Sequence, residues 1–170
     1  MKKVFYGMGK AVLEQIQEVA GIGEGETAKM YTRFCELDRD GDGLLSKKDL
    51  LGIPELFTNP LGERIADVFL RVRGLFGFGT DKKEGVDFAG FLLGVFLPSV
   101  SPEHNAVFLF GVFDADDDGV ISKEDFLGTV EQCGQDRAVC EDICREVFGG
   151  EEELVRSVFC ADEDILCLFG

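Results

Sequence analysis

Apolar residues in this chain recur mostly at steps of three and four, the spacing of one helix face, rather than at every second position. Val4, Phe5, Met8, Val12, Ile16 and Val19 form such a stripe and predict an amphipathic opening helix, ended by Gly21-Ile22-Gly23-Glu24-Gly25. A second helix is expected from about Thr27, with Met30, Phe34 and Leu37 along one face. Leu50, Leu51 and Ile53 make a short apolar run stopped by Pro54. Asn59-Pro60 predicts a helix start, an Asn cap with proline at the first helical position, and Ile65, Val68 and Phe69 supply its inward stripe. Ser101-Pro102 predicts another capped start, leading to Ala106, Leu109, Phe110 and Phe113. Phe126 and Val130 continue the pattern, as do Val139, Ile143 and Val147, and Ile165, Leu166, Leu168 and Phe169 close the chain.

Two interruptions of this pattern carry chemistry. One is Asp38-Arg39-Asp40-Gly41-Asp42-Gly43-Leu44-Leu45-Ser46-Lys47-Lys48-Asp49. The other is Asp114-Ala115-Asp116-Asp117-Asp118-Gly119-Val120-Ile121-Ser122-Lys123-Glu124-Asp125. Both place oxygen-bearing side chains at positions 1, 3, 5, 9 and 12, glycine at 6 and an aliphatic at 8, which is the EF-hand layout for a hard divalent cation. The expected ligands are Asp38, Asp40, Asp42, Ser46 and Asp49 with the carbonyl of Leu44. In the second loop they are Asp114, Asp116, Asp118, Ser122 and Asp125 with the carbonyl of Val120. Such oxygen donors select Ca2+ or Mg2+ over zinc or copper. Position 12 departs from the layout, because aspartate stands where glutamate is expected. One methylene shorter, it weakens the preference for calcium and lets magnesium compete.

An apolar residue at loop position 8 needs a partner, since two such residues pair in a short antiparallel ladder. Val86-Asp87-Phe88 fits positions 8 to 10 of a second loop, with Phe91 and Leu92 on its exit helix. Counting from there puts Gly79 at position 1, Asp81 at 3 and Gly90 at 12, so the loop lacks a carboxylate at both ends and is expected to be empty. In a fourth unit, Gly149-Gly150-Glu151-Glu152-Glu153 carries acids without alternate spacing, and it too reads as degenerate. The expected fold is therefore all-α: four EF-hand helix–loop–helix units in two lobes, two of them degenerate, with short loop-pairing β ladders. The boundaries fall at residues 1–25 for the opening helix, 26–97 for the first lobe, 98–102 for a linker and 103–170 for the second lobe. Each lobe would hold one working loop, which rules out two-ion cooperativity inside a lobe.

The net charge of −16 excludes nucleic acid as a partner and disfavours anionic lipid. Sixteen Phe in a chain that is 45% hydrophobic is a heavy apolar load, and some of it is expected to meet an amphipathic helix of a larger protein. With only three Met, such a groove would be stiff and suited to one dedicated partner in a hetero-complex. The rival reading is a structural subunit of a cytoskeletal or ciliary assembly with permanently bound ions.

The six Cys are expected as reduced thiols in a cytoplasmic protein; Cys140 and Cys144 share a helix face as buried small hydrophobes rather than a zinc site. The start, Met1-Lys2-Lys3-Val4-Phe5, shows no secretory or myristoylation pattern, and the apolar run at 86–97 is too short for membrane insertion. The single His104 has no nucleophile beside it, so no enzymatic activity is expected.

The run Ile53-Pro54-Glu55-Leu56-Phe57-Thr58-Asn59-Pro60-Leu61-Gly62-Glu63-Arg64-Ile65, read with Val86-Asp87-Phe88, resembles the calcineurin B group, which includes the calcineurin B homologous proteins. The similarity covers residues 29–129 well and the last forty poorly. The resemblance implies four EF-hands in two lobes, with a hydrophobic groove that grips a long helix of a phosphatase catalytic subunit or of an exchanger tail. This chain departs from the homologous proteins in placing its full loops in the first and third units rather than in the last two.

Overall fold

The structure, a computed structural model, describes residues 10–78 and 85–155. Helix α1 (Lys10–Ala20) ends where Gly21 takes a left-handed φ of +65°. Its stripe is rotated from the expected one: Leu13 and Ile16 are buried, while Val19 is 37% exposed. Val4, Phe5 and Met8 lie outside the described residues. Helix α2 (Glu24–Leu37) starts three residues before the expected Thr27. Glu24 and Glu26 occupy its first turn, where the positive helix end favours acids. Thr27 is instead a buried tie. Its hydroxyl donates to the Gly23 carbonyl (3.0 Å) and accepts from Gln17 Nε2 of α1 (2.8 Å).

After the first acidic loop come α3 (Lys47–Leu50), α4 (Pro54–Phe57), α5 (Gly62–Leu70) and α6 (Val72–Leu75). Pro54 opens α4 as well as ending the run before it, because its missing N–H is harmless at a first helical position. The helix expected at Asn59-Pro60 begins later, at Gly62. Asn59 Oδ1 accepts the Leu61 N–H (2.8 Å) and closes a turn that doubles the chain back on α4. A Cβ at residue 62 would overlap the Leu56 carbonyl, so only glycine lets the backbone pass there. Helix α7 (Phe88–Phe96) follows the second loop, and its residues 88–94 are all buried. A 3-10 turn, Leu97–Ser99, leads to α8 (Pro102–Phe113), capped by Ser101 with Pro102 just inside, as expected. The third loop ends in strand β1 (Val120–Ser122), followed by α9 (Lys123–Gln132), α10 (Arg137–Phe148) and β2 (Glu153–Val155).

Position-8 residues pair as the sequence requires. Leu45 and Val86 exchange both backbone bonds (2.8 and 2.9 Å), and in the β1–β2 ladder Ile121 faces Leu154. Each full loop is thus laddered to a degenerate one. Two apolar clusters lie behind these ladders. The first draws on α1 through α7 and stacks Phe34 edge-on to Phe88 and near Phe91. The second joins Phe110, Phe113, Ile121, Phe126, Phe148 and Leu154, with Phe126 between Phe113 and Phe148. Burying each of these rings is worth roughly 1.5–3 kcal/mol. Phe69 of α5 meets Phe108 of α8 edge-on, so α8 also packs against the first cluster.

In α10 the inward face is Cys140, Cys144, Val147 and Phe148, whereas Val139 is 45% exposed. The expected stripe of Val139, Ile143 and Val147 is thus turned by about one position, with the small thiols rather than Val139 taking the inward places. Ile165, Leu166, Leu168 and Phe169 lie outside the described residues.

Candidate metal centres

Each acidic loop begins at the residue that ends a helix: Asp38 closes α2 and Asp114 closes α8. The loop then wraps around this first carboxylate. Asp38 Oδ1 accepts the Gly41 N–H (2.8 Å) and its Oδ2 the Gly43 N–H (2.9 Å). Asp42 Oδ1 takes the Leu44 N–H at 2.7 Å. Asp114 Oδ1 accepts from Asp118 and its Oδ2 from Gly119 (both 3.2 Å), while Asp118 Oδ1 accepts from Val120 (2.8 Å). Positions 4 and 6 are left-handed in both loops: Gly41 (φ +74°) and Gly43 (+84°) in one, Asp117 (+61°) and Gly119 (+87°) in the other. Aspartate tolerates this conformation better than most residues do.

The result is convergence of like charge. Among the described residues, carboxylate oxygens of Asp38, Asp40 and Asp42 lie within 4.8 Å of one another, and so do those of Asp114, Asp116 and Asp118. Three carboxylates at that spacing repel unless a cation offsets them. Asp114 sharpens the point, being only 3% exposed. Burial pushes its carboxyl above the ordinary range, against the hydrogen bonds from Gly119 and Asp118 and the nearby Arg71 guanidinium. The donor set, all hard oxygen, fits calcium or magnesium at positions 1, 3 and 5.

Positions 9 and 12 are held differently. Asp49 Oδ2 accepts both the Ser46 N–H (3.1 Å) and the Ser46 hydroxyl (2.6 Å), and Ser46 Oγ accepts the Asp49 N–H (3.2 Å). Ser122 and Asp125 repeat this with 3.2, 2.7 and 3.1 Å. Each pair is a capping box at the start of an exit helix, α3 or α9. The structure therefore gathers Asp38, Asp40 and Asp42 in one group and Asp114, Asp116 and Asp118 in another, while Asp49 bonds Ser46 and Asp125 bonds Ser122. Leu44 and Val120 stand at position 7, directly before the position-8 residues Leu45 and Ile121.

Loop length separates the full loops from the degenerate ones. In the full loops the laddered residue falls eight positions after the last helical residue, from Leu37 to Leu45 and from Phe113 to Ile121. In the fourth unit the step from Phe148 to Leu154 is six; in the second, from Leu75 to Val86, it is eleven. In the second unit a Cβ on Gly90 would approach Val86 Cγ1 to 2.9 Å, so any side chain at position 12 requires the buried Val86 to shift. Asp87, at position 9, caps α7 and pairs with Arg73 Nη1 at 2.7 Å. The expected positions Gly79 and Asp81 lie outside the described residues.

Sequence reading missed Arg71, at the break between α5 and α6. Its Nη2 donates to the carbonyls of Gly111 (2.6 Å) and Asp114 (3.2 Å), and its Nη1 pairs with Asp117. Forty residues separate Arg71 from Gly111, and no local pattern announces such a contact. His104 sits half-buried in the first turn of α8, with Nδ1 2.8 Å from the capping Ser101 Oγ and its ring near Phe76.

Acidic loops at the ends of helices, paired at position 8 and backed by aromatic cores, make this an EF-hand protein. A family model described as an EF-hand domain pair matches residues 95–133. The chain is homologous to calcineurin B subunits. It is 34% identical over 117 residues to the type 1 calcineurin B subunit of Dictyostelium discoideum, covering 68% of this chain and 60% of that one. It is 35% identical over 113 residues to the calcineurin B subunit of Naegleria gruberi, and 39% identical over 101 residues to the type 2 calcineurin B subunit of Bos taurus. These matches cover 65% and 58% of this chain, and 58% and 54% of the relatives. The chain thus spans somewhat over half the length of the curated relatives it matches. A chain from a structure titled as a PP2A PR70 holoenzyme superposes with a TM-score of 0.54 at 19% identity, over 88% of this chain and 59% of that one. That likeness concerns the fold. The EF-hand match and the relatives together imply calcium binding. Among the described residues, no helix is long and apolar enough to cross a membrane.

Proposed function

We propose that this chain is a calcium-binding EF-hand regulatory subunit of a cytoplasmic hetero-complex, with cations held in the first and third loops. Asp38, Asp40 and Asp42 with the Leu44 carbonyl would hold one; Asp114, Asp116 and Asp118 with the Val120 carbonyl would hold the other. The observation that carries this reading is the buried Asp114, packed with two further carboxylates within 4.8 Å. A bound cation supplies positive charge at the end of α2 or α8, where the helix dipole and the carboxylates are both negative. The chain's own part is to fix the angle between the entering and exit helices of each unit.

The two apolar clusters correspond on this reading to two lobes joined at residues 98–102. The partner is an amphipathic helix of a larger protein, with basic residues to match the net charge of −16. Phe57, 79% exposed, and Val100, Val139 and Val155 are large apolar side chains open to it. Magnesium competes for the loops, since the position-12 aspartates are one methylene shorter than glutamate and are engaged by the position-9 serines.

Those same boxes favour a second reading, a structural subunit whose ions stay bound and whose helices do not reorient. Position 12 is where an incoming ion would pull on the exit helix, and here it is already tied down.

Asp38→Ala combined with Asp114→Ala tests the sites. The double variant should lose the thermal stabilisation that calcium or magnesium gives the native chain; retained stabilisation would sink the site assignment. Affinity purification under calcium and under chelator then separates the two readings, with capture that depends on calcium marking the regulator.

A further inference from the structure

The two acidic loops back onto different apolar clusters, yet one helix touches both units. Asp67 of α5 receives Lys47 Nζ at 2.8 Å, and Lys47 is loop position 10 of the first unit, at the start of α3. Leu50 of α3 packs in the same buried cluster as Ala66 and Phe69 of α5, so this junction is more than a surface ion pair. One turn after Asp67, Arg71 crosses to the third unit. There it caps the last turn of α8 through the carbonyls of Gly111 and Asp114, and pairs with Asp117 at loop position 4. Arg64, seven residues earlier and so on the same face as Arg71, donates to the Val112 carbonyl at 3.3 Å. None of these contacts uses a carboxylate at position 1, 3 or 5. Arg71 can therefore stay in place while the loop holds a cation.

We infer that α5 is a strut coupling the first and third loops, with Arg71 as the positioning residue that carries occupancy of one loop to the other. The inference rests on the reading that both loops bind cations. Its physical basis is shared ordering. A cation in the first loop fixes the start of α3, which fixes α5 through the buried packing and Lys47. Arg71 then holds the end of α8 and position 4 of the third loop in their binding arrangement, so the second ion orders less when it binds. Each pair of laddered loops contains one silent loop, so cooperativity has no route within a pair. This strut gives it a route between pairs, and the expected sign is positive.

The amide signals of Gly43 and Gly119, at position 6 of the two loops, report each loop separately in a calcium chloride titration followed by NMR. Silencing the first loop by Asp40→Ala should weaken the third by roughly fivefold, the lower end of ordinary coupling. In an Arg71→Gln background the same silencing should leave the Gly119 midpoint unmoved. Asp117→Asn is a second route to the same result, and asparagine tolerates the left-handed backbone at that position. An identical Gly119 midpoint with and without Asp40→Ala would overturn the coupling while leaving the ion sites standing. Coupling that survives both Arg71→Gln and Asp117→Asn would overturn the role of Arg71. If Gly119 does not titrate at all in the native chain, the cation assignment falls and the coupling falls with it.

Discussion

Ser122 and Asp125 hold each other in both directions: the serine hydroxyl donates to the carboxylate at 2.7 Å while accepting the aspartate's own amide at 3.1 Å. Ser46 and Asp49 do the same in the first loop, at 2.6 and 3.2 Å. A side chain one methylene longer could keep the box and still reach inward, because serine with glutamate three residues on is the usual capping pair. Asp49→Glu with Asp125→Glu is therefore expected to tighten calcium by about tenfold while changing magnesium much less. Competition calorimetry, with calcium titrated at fixed magnesium, measures the ratio. Parallel changes for both ions would show that position 12 takes no part in binding.

Asp114 gives a pH signature in the ion-free protein. Its folded pKa is raised by burial, so the folded chain binds this proton more tightly than the unfolded chain does. The stabilisation associated with the protonated acid is complete below the ordinary 3.8 of an aspartate and is lost as pH rises through the higher folded value. Asp114→Asn removes the buried charge and should raise the ion-free melting temperature at neutral pH, with the gain vanishing in acid. The same variant should lose ion-linked stabilisation from the third loop. Melting curves across pH with chelator present check the first part, and curves with calcium the second. A variant that melts lower than the native chain at neutral pH would contradict the assigned sign.

The full loops are legible in sequence because their chemistry is local: twelve consecutive residues specify the turn, the three converging carboxylates and the ladder residue. Leu45, Val86 and Ile121 follow from the count alone. Helix starts are less legible where tertiary contacts decide them. Thr27 has the composition of a cap but is spent on tying α1 to α2. Asn59 caps a turn instead of the helix, since the chain must first reverse against α4. The engagement of position 12 by position 9 is in principle readable, because Ser-x-x-Asp before an apolar run is a capping pattern. Arg71 is not readable at all. Its partners are a helix end and a loop some forty residues away, and nothing in periodicity distinguishes it from a solvated arginine.

Gly62 tests how far the run from Ile53 to Ile65 is structural. Any side chain at residue 62 meets the Leu56 backbone carbonyl, which cannot move aside as a flexible side chain could. Gly62→Ala should therefore destabilise by about 2 kcal/mol or more. Gly128, in α9, has open space around the same position and serves as the control, where alanine should be neutral or mildly stabilising. Urea midpoints compare the two. Equal effects would mean that the chain around α4 relaxes freely.

The cysteines should divide by reactivity. Cys35 and Cys133 are exposed, whereas Cys140 and Cys144 lie on the buried face of α10, where burial pushes both thiols up and keeps them protonated. Alkylation proceeds through the thiolate and needs access, so both effects act in the same direction. With site-resolved mass spectrometry, Cys35 and Cys133 should be modified at least about tenfold faster than Cys140 and Cys144 at neutral pH. Denaturant should erase the difference. Cys140 and Cys144 should also stay protected when zinc is withheld by a chelator, because packing rather than a metal shields them. Loss of protection under chelator selective for zinc would instead make the pair a metal site and overturn its assignment as buried apolar filling.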